Sequence, residues 1–327
     1  MNKISTKILC VFLTAAILLV SLPLTVFALT NETDVQESTI SDLGSIDSYT
    51  YELVERRDEN TKHFRQADGT VVAVKYAQPV HRLDENGVWQ EIDNTLVSSA
   101  NEYKTTDARI KFAKKTTGNE VLFTLHDGNS KITMSLDGAA KKIQGKVTNY
   151  SEDEDADEIT KMSHLEKLNS KVIYENILDG VDLEYIVVSN TIKENIILST
   201  KRDSYIFTFT MKLNNMTAEL AENGGIVVYD DSSNEAYVIE PPFMYDDDGN
   251  ISHDVSYTLS QSSNNEYKIT VTADESWIES DERMFPVTID PSLSPSDSSV
   301  VDLCVSSSSA STNYSSLPDL FIGNEYS

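Results

Sequence analysis

Tyr205-Ile-Phe-Thr-Phe-Thr-Met-Lys-Leu213 decides the fold class. After its first residues the run alternates apolar and polar, which places Phe207, Phe209, Met211 and Leu213 on one face of a strand. Outward from it the same pattern recurs in short runs. Val181-Asp-Leu-Glu-Tyr-Ile-Val-Val188 is expected to pair with Ile192 to Leu198, and Val121 to Leu125 with Lys131 to Leu136 across Asp127-Gly128. Ile226 to Tyr229, Ala236 to Ile239 and Tyr267 to Thr272 continue the series. Thr70 to Tyr76 and Gly87 to Asp93 read as strands of one small sheet. Of the 12 glycines, seven directly follow Asp or Asn: Gly69, Gly87, Gly128, Gly138, Gly180, Gly224 and Gly249. Such pairs supply the positive φ that tight hairpin turns need, so the chain reads as a β-meander rather than as α/β units. The expected fold is all-β, an antiparallel β-sandwich-like module with a hairpin-rich N-terminal part and one or two short helices. The helical candidates are Ile159 to Leu168 and Asp274 to Ser280.

The N-terminus has the layout of a secretory signal peptide. Lys3 and Lys7 precede an apolar run from Ile8 to Phe27, and cleavage is expected after Ala28. A retained membrane anchor is the rival reading, and the run is nearly long enough for it. Pro23 and the polar residues after Ala28 favour cleavage. Losing the two charges of Lys3 and Lys7 takes the formal charge from −27 to −29. So acidic a surface repels nucleic acid and anionic lipid. The expectation is a secreted, extracellular protein with no nucleic-acid partner and no membrane association after cleavage. Of the two cysteines only Cys304 would remain, so no internal disulfide holds the mature chain.

The expected segments are a signal peptide over 1–28, a flexible leader over 29–49, a β-rich module over 50–291, a linker over 292–299, and the start of a further β-sandwich domain over 300–327. In that last stretch Leu320-Phe-Ile-Gly323 reads as a strand whose sheet partners are missing, as expected for the front part of a longer protein or a truncated gene.

Motifs for catalysis are absent: no Gly-x-Ser-x-Gly, His-Glu-x-x-His, phosphate loop or Cys-x-x-Cys occurs. His63, His81, His126, His164 and His253 lack metal-ligand spacing. No catalytic, cofactor-binding or metal-binding residue is assigned, and the chain is expected not to be an enzyme. Asp153, Asp155 and Asp157 are spaced as in a calcium loop, but Glu158 and His164 stand where an EF-hand needs Gly and Glu. That run and Asp246-Asp-Asp-Gly-Asn250 read as solvated acidic loops, with a weak surface Ca²⁺ site left open and no cofactor expected. The 15 Tyr, 10 Phe and 2 Trp read as core rather than as a sugar-stacking platform.

Several phrases together resemble large secreted wall-associated proteins of Gram-positive bacteria that carry DNRLRE domains and RHS (YD) repeats. They are Glu52-Leu-Val-Glu-Arg-Arg57, Lys62 to Thr70, Pro79-Val-His81, Asp84 to Asn94, Tyr174 to Tyr185 with Lys193-Glu194, and Trp277-Ile with Arg283 to Pro291. The stretch from Asp302 through Thr312-Asn-Tyr314 to Gly323 resembles the start of a DNRLRE domain, a module similar to a carbohydrate-binding β-sandwich family. The resemblance implies a non-catalytic cell-surface or cell-wall module with a structural or adhesive role. The alternatives are a carbohydrate-binding module and a glycan hydrolase with a dispersed carboxylate pair. The partner this leaves room for is a cell-wall or extracellular polysaccharide.

Overall fold

The computed structural model describes residues 26–27, 37–38, 49–66, 69–76, 78–84, 86–118, 120–149, 165–296 and 321–325. Residues 1–25 of the expected signal peptide, its Ala28, the acidic run 151–158, His164 and Cys304 lie outside them. The chain divides into two compact units, with the division between Ala77 and Gln78, inside the stretch 50–291 that the sequence reads as one module.

In the smaller unit three strands, Tyr49–Glu52, Thr61–Gln66 and Val71–Lys75, form an antiparallel meander. Leu53, Phe64, Val71, Val74 and Tyr76 are its buried apolar residues. The strand Phe321–Glu325, expected to lack a partner, pairs antiparallel with Val71–Lys75.

The larger unit holds two large antiparallel sheets and a separate two-stranded one, His81–Leu83 with Trp89–Glu91. One has eight strands in the order Val255–Ser263, Glu266–Ala273, Ile206–Asn214, Ser130–Leu136, Phe123–Asp127, Ile110–Ala113, Glu102–Thr105 and Leu96–Ser98. The other runs Lys146–Asn149, Asn169–Leu178, Val181–Val188, Thr191–Leu198, Ser292–Pro295, Glu235–Ile239, Ile226–Asp230 and Met216–Leu220. Phe243–Tyr245, Ile251–Ser252 and Val287–Asp290 attach beside that path. Alternation aims one side chain in two inward, and the inner faces of both sheets contribute to a single buried core. Phe207, Phe209, Met211 and Leu213 face it together, as the sequence requires.

Local pairing follows the turn chemistry. Val181–Val188 pairs with Thr191–Leu198, and Phe123–Asp127 with Ser130–Leu136. The seven glycines after Asp or Asn all have positive φ; at Gly180, between two long strands, φ is 67°. The helix Glu275–Ile278 forms where acids cluster, and the Asp274 carboxylate caps it by accepting from the Trp277 N–H at 3.0 Å. Of the other helical candidate, Leu165–Leu168 is a 3₁₀ turn and the rest lies outside the described residues.

Two expectations are corrected. Thr70 to Tyr76 and Gly87 to Asp93 do not share a sheet. Val71–Lys75 pairs with Thr61–Gln66, whereas Trp89–Glu91 pairs with His81–Leu83. A close hairpin partner lay nearer in sequence to each than they lie to one another, and short loops close at lower entropic cost. The linker expected over 292–299 begins instead as a strand. Ser292–Pro295 lies between Thr191–Leu198 and Glu235–Ile239, with Leu293 opposite both Ile192 and Ile239. Leu293 and Ser294 are buried. Ser, Asp and Pro gave this stretch a linker composition, but Leu293 gave the apolar face a residue, and Pro295 is the last residue of the strand. Amide hydrogen exchange is expected to show Leu293 and Ser294 protected as strongly as Ile192. Exchange at the rate of a free loop would remove the strand from the sheet.

Candidate functional site

Among the polar side chains of the larger unit, three groupings contain ionisable residues tied across elements. The innermost lies between the sheets. Thr191–Leu198 aims Ile192, Ile196 and Leu198 into the core, and Glu194 shares their phase. Its register partner across the hairpin is Tyr185, which is fully buried. Burial pushes the Glu194 carboxyl up to about 8, against an opposing effect of the nearby Tyr185 hydroxyl. Tyr257, from the edge strand of the opposite sheet, responds to the charge of Glu194, and after burial that charge is the largest influence raising its own pKa. Glu194 Oε2 and the hydroxyls of Tyr185 and Tyr257 are buried without a hydrogen bond of regular geometry. On the other face of the same hairpin, Glu184 is satisfied by Lys171 at 3.0 Å and by the Asn195 amide at 2.9 Å. Two neighbouring strands thus carry one paired acid and one without a cation. Sequence reading missed Glu194, although an acid on the apolar phase of an alternating strand was the available signal.

At a second place Arg109 donates to the Tyr237 hydroxyl at 3.0 Å, and that hydroxyl donates to Asp127 at 2.7 Å. This joins the two sheets by a polar tie. Arg82, paired with Asp107, has its pKa lowered by burial and by the Arg109 charge.

The third place is the Asp246–Asn250 turn. It is a turn, as expected, but Asp246 is not solvated: it has no accessible surface. Its carboxylate accepts from the Asn250 N–H at 2.8 Å, the Asn250 amide at 3.0 Å and Arg283 at 3.1 Å. The Arg283 guanidinium in turn lies 4.3 Å from the centre of the Trp277 ring, so one face of that ring is covered.

The histidines stay scattered. His63 and His81 are buried, His126 is half-buried with its pKa lowered by burial and by Lys111 and Lys131, and His253 packs near Phe243. Among the described residues, no group of three or more His, Cys, Asp or Glu is placed to hold a metal ion, and no helix is long and apolar enough to cross a membrane.

The geometry defines an all-β protein in which two antiparallel sheets close over a tyrosine-rich core containing an acid. No protein-family model matches the chain, and no solved structure does. Among known proteins it is similar to the tRNA nuclease WapA of Bacillus subtilis strain 168, with 30% identity over 274 residues, 81% of this chain and 11% of the relative. The tRNA3(Ser)-specific nuclease WapA of Bacillus spizizenii matches to the same extent. A protein of Geobacillus stearothermophilus named Wall-associated protein is 25% identical over 201 residues, 60% of this chain and 74% of the relative. The chain is thus homologous to bacillar wall-associated proteins, and it spans about a tenth of the length of the nuclease relatives. The wall-associated relative bears out the extracellular, cell-wall localisation read from the sequence. The nuclease relatives overturn two other expectations, that the chain is not an enzyme and that nucleic acid is not among its partners. Net charge and missing motifs described this stretch alone, whereas the related proteins act on tRNA.

Proposed function

We propose that this chain is an extracellular, wall-associated β-module that holds a larger protein of the WapA kind at the cell surface by contact with wall polysaccharide. The observation that carries the reading is the match to the Wall-associated protein of Geobacillus stearothermophilus, which extends over 74% of that relative and therefore concerns this stretch rather than a distant part. The larger unit, taken by itself, is compatible with a rigid presenter. Its polar ties, Arg109–Tyr237–Asp127 and Asp246–Arg283, are internal, and its strands are joined by tight turns. The resemblance of residues 302–323 to the start of a DNRLRE domain supports the same reading. Purified chain mixed with isolated bacterial walls is expected to sediment with them and to be released by soluble wall glycan. Chain that stays in the supernatant at low and moderate salt overturns the reading.

The names of the nuclease relatives favour a second reading, in which this stretch itself takes part in acting on tRNA. Incubation of the purified chain with tRNA, followed by denaturing electrophoresis, tests it. Fragments that disappear on mutation of a specific residue of this chain establish it, and intact tRNA removes it.

A further inference from the structure

The main paths of the two large sheets end in four edge strands, and three of these are blunted. Leu96–Ser98 is three residues long and Lys146–Asn149 four. Those two are also tied to each other: the Asn149 side chain accepts from the Leu96 N–H at 2.8 Å and donates to the Leu96 carbonyl at 3.0 Å. Met216–Leu220 is five residues long and carries Glu219. Val255–Ser263 differs. It is nine residues long, Val-Ser-Tyr-Thr-Leu-Ser-Gln-Ser-Ser, and holds no charged residue and no proline in a chain of which 24% is charged. Its register shift, between Gln261 and Ser263, lies at its far end. Short length, charge, proline and bulges are the devices that keep a sheet edge from pairing with another chain. This strand is bonded on one side to Glu266–Ala273, and among the described residues no strand pairs with its other side. We propose that Val255–Ser263 is a self-pairing edge, at which two copies of this chain join antiparallel about Leu259 and continue the eight-stranded sheet across both. The pairing goes beyond wall contact and does not depend on it.

The ladder already formed fixes where the free backbone groups point. Along an antiparallel pair, residues bonded to the partner strand alternate with residues whose N–H and C=O point away from it. The Asp274 N–H donates to the Asp254 carbonyl at 2.9 Å, one step before Val255 stands opposite Ala273. Every second residue from Asp254 therefore bonds to Glu266–Ala273, namely Ser256, Thr258 and Ser260. The N–H and C=O groups of Val255, Tyr257, Leu259 and Gln261 point outward.

About Leu259 the strand is its own complement. A two-fold axis there sets Leu259 against its counterpart as a hydrogen-bonded pair, and Tyr257 against Gln261 on either side of it. Between these pairs Thr258 lies opposite Ser260, on the solvent face, where both are exposed. Small hydroxyl side chains opposite one another support a ladder, whereas like charges opposite one another destabilise it. A contact of this isologous kind closes as a dimer. The formal charge of −27 repels a second copy at a distance, and salt screens that repulsion. An uncharged edge on so acidic a chain is thus expected to pair better at high salt than at low.

Sedimentation equilibrium and residue-resolved amide exchange on the full chain test the proposal. The dimer dissociation constant is expected to fall about tenfold between roughly 0.05 M and 0.5 M salt. As chain concentration rises, the amides of Tyr257, Leu259 and Gln261 are expected to gain protection, while those of Ser256, Thr258 and Ser260 stay level. Leu259→Pro removes an outward N–H that the single chain does not use, at an edge, where proline is tolerated. It is expected to weaken the dimer by about tenfold or more and to leave the melting temperature of the monomer nearly unchanged. If that variant does not fold, Thr258→Lys combined with Ser260→Lys decides instead, because it sets lysine opposite lysine across the axis and should weaken the dimer as much. A chain that stays monomeric at about 1 mM in high salt overturns the proposal. So does a dimer whose added protection does not alternate along Val255–Ser263, or that both variants leave intact. Outward amides protected equally at every concentration also overturn it, since their partner would then lie within the same chain.

Discussion

Asp246→Ala is expected to destabilise the larger unit by about 3–5 kcal/mol, the range for leaving a buried charge without its partner. Asp246 has no accessible surface, and the side chain of Arg283 is 10% exposed. Removing the carboxylate leaves the guanidinium on Trp277 with only the exposed Glu282 carboxylate, 3.8 Å away, and takes the acceptor from the Asn250 and Met284 N–H groups. The Asp247 N–H, held by the Met284 carbonyl at 3.0 Å, would lose its alignment too. Urea unfolding followed by tryptophan fluorescence measures the effect, because Trp277 reports on the same contact. The acid limb of native stability carries a second signature. Burial pushes the Asp246 carboxyl up, but the Asn250 and Met284 hydrogen bonds and the Arg283 charge outweigh it and hold the group below the usual 3.8. Its contribution is present above that value and disappears as pH falls through the lower folded value. The native chain should therefore lose stability in acid more steeply than Asp246→Ala. Parallel acid limbs, or a loss under 1 kcal/mol at neutral pH, would show that the turn holds without its carboxylate.

Tyr185→Ala is expected to cost about 3–5 kcal/mol as well, by a different cause. The Tyr185 ring is fully buried and lies 5.5 Å from Phe112 and 5.3 Å from Phe123, both in the opposite sheet, and 6.3 Å from Tyr174 beside it. The rings join the sheets as an aromatic cluster, and edge-on contacts add about 1 kcal/mol beyond area. Truncation leaves a cavity that rigid sheets cannot collapse into. Tyr185→Phe keeps the ring and removes a hydroxyl that has no regular hydrogen bond, so a change of about 1 kcal/mol or less is expected. Chemical unfolding of both variants tests the claim, and similar losses in the two would place the energy in the hydroxyl instead of the ring.

The homology also bears on how far sequence reasoning reached about function. The acidic charge and the missing catalytic motifs argued against an enzyme and against nucleic acid. Relatives that act on tRNA correct both, because those arguments covered 327 residues and the relatives extend far beyond the matched part. Wall association, by contrast, was legible in phrases such as Tyr174 to Tyr185, which lie in strands whose inward residues are fixed by the core.

What the sequence by itself determined is local. Alternation in Tyr205 to Leu213 and Asp/Asn-Gly turns such as Asp179-Gly180 established antiparallel hairpins and an all-β class, since period and turn type act over a few residues. It also marked the capped helix at Asp274. What only the tertiary structure decided is the pairing of strands distant in sequence. Leu293 could be assigned to a sheet only once Thr191–Leu198 and Glu235–Ile239 stood apart by one strand width. Asp246 could be seen as buried only once Arg283 was folded back upon it. Glu194 lay on an apolar phase that the sequence displays, yet its burial depends on the rest of the core closing over that face. Long-range register is set by which faces bury each other, and that information is distributed over the whole chain instead of residing in any one run.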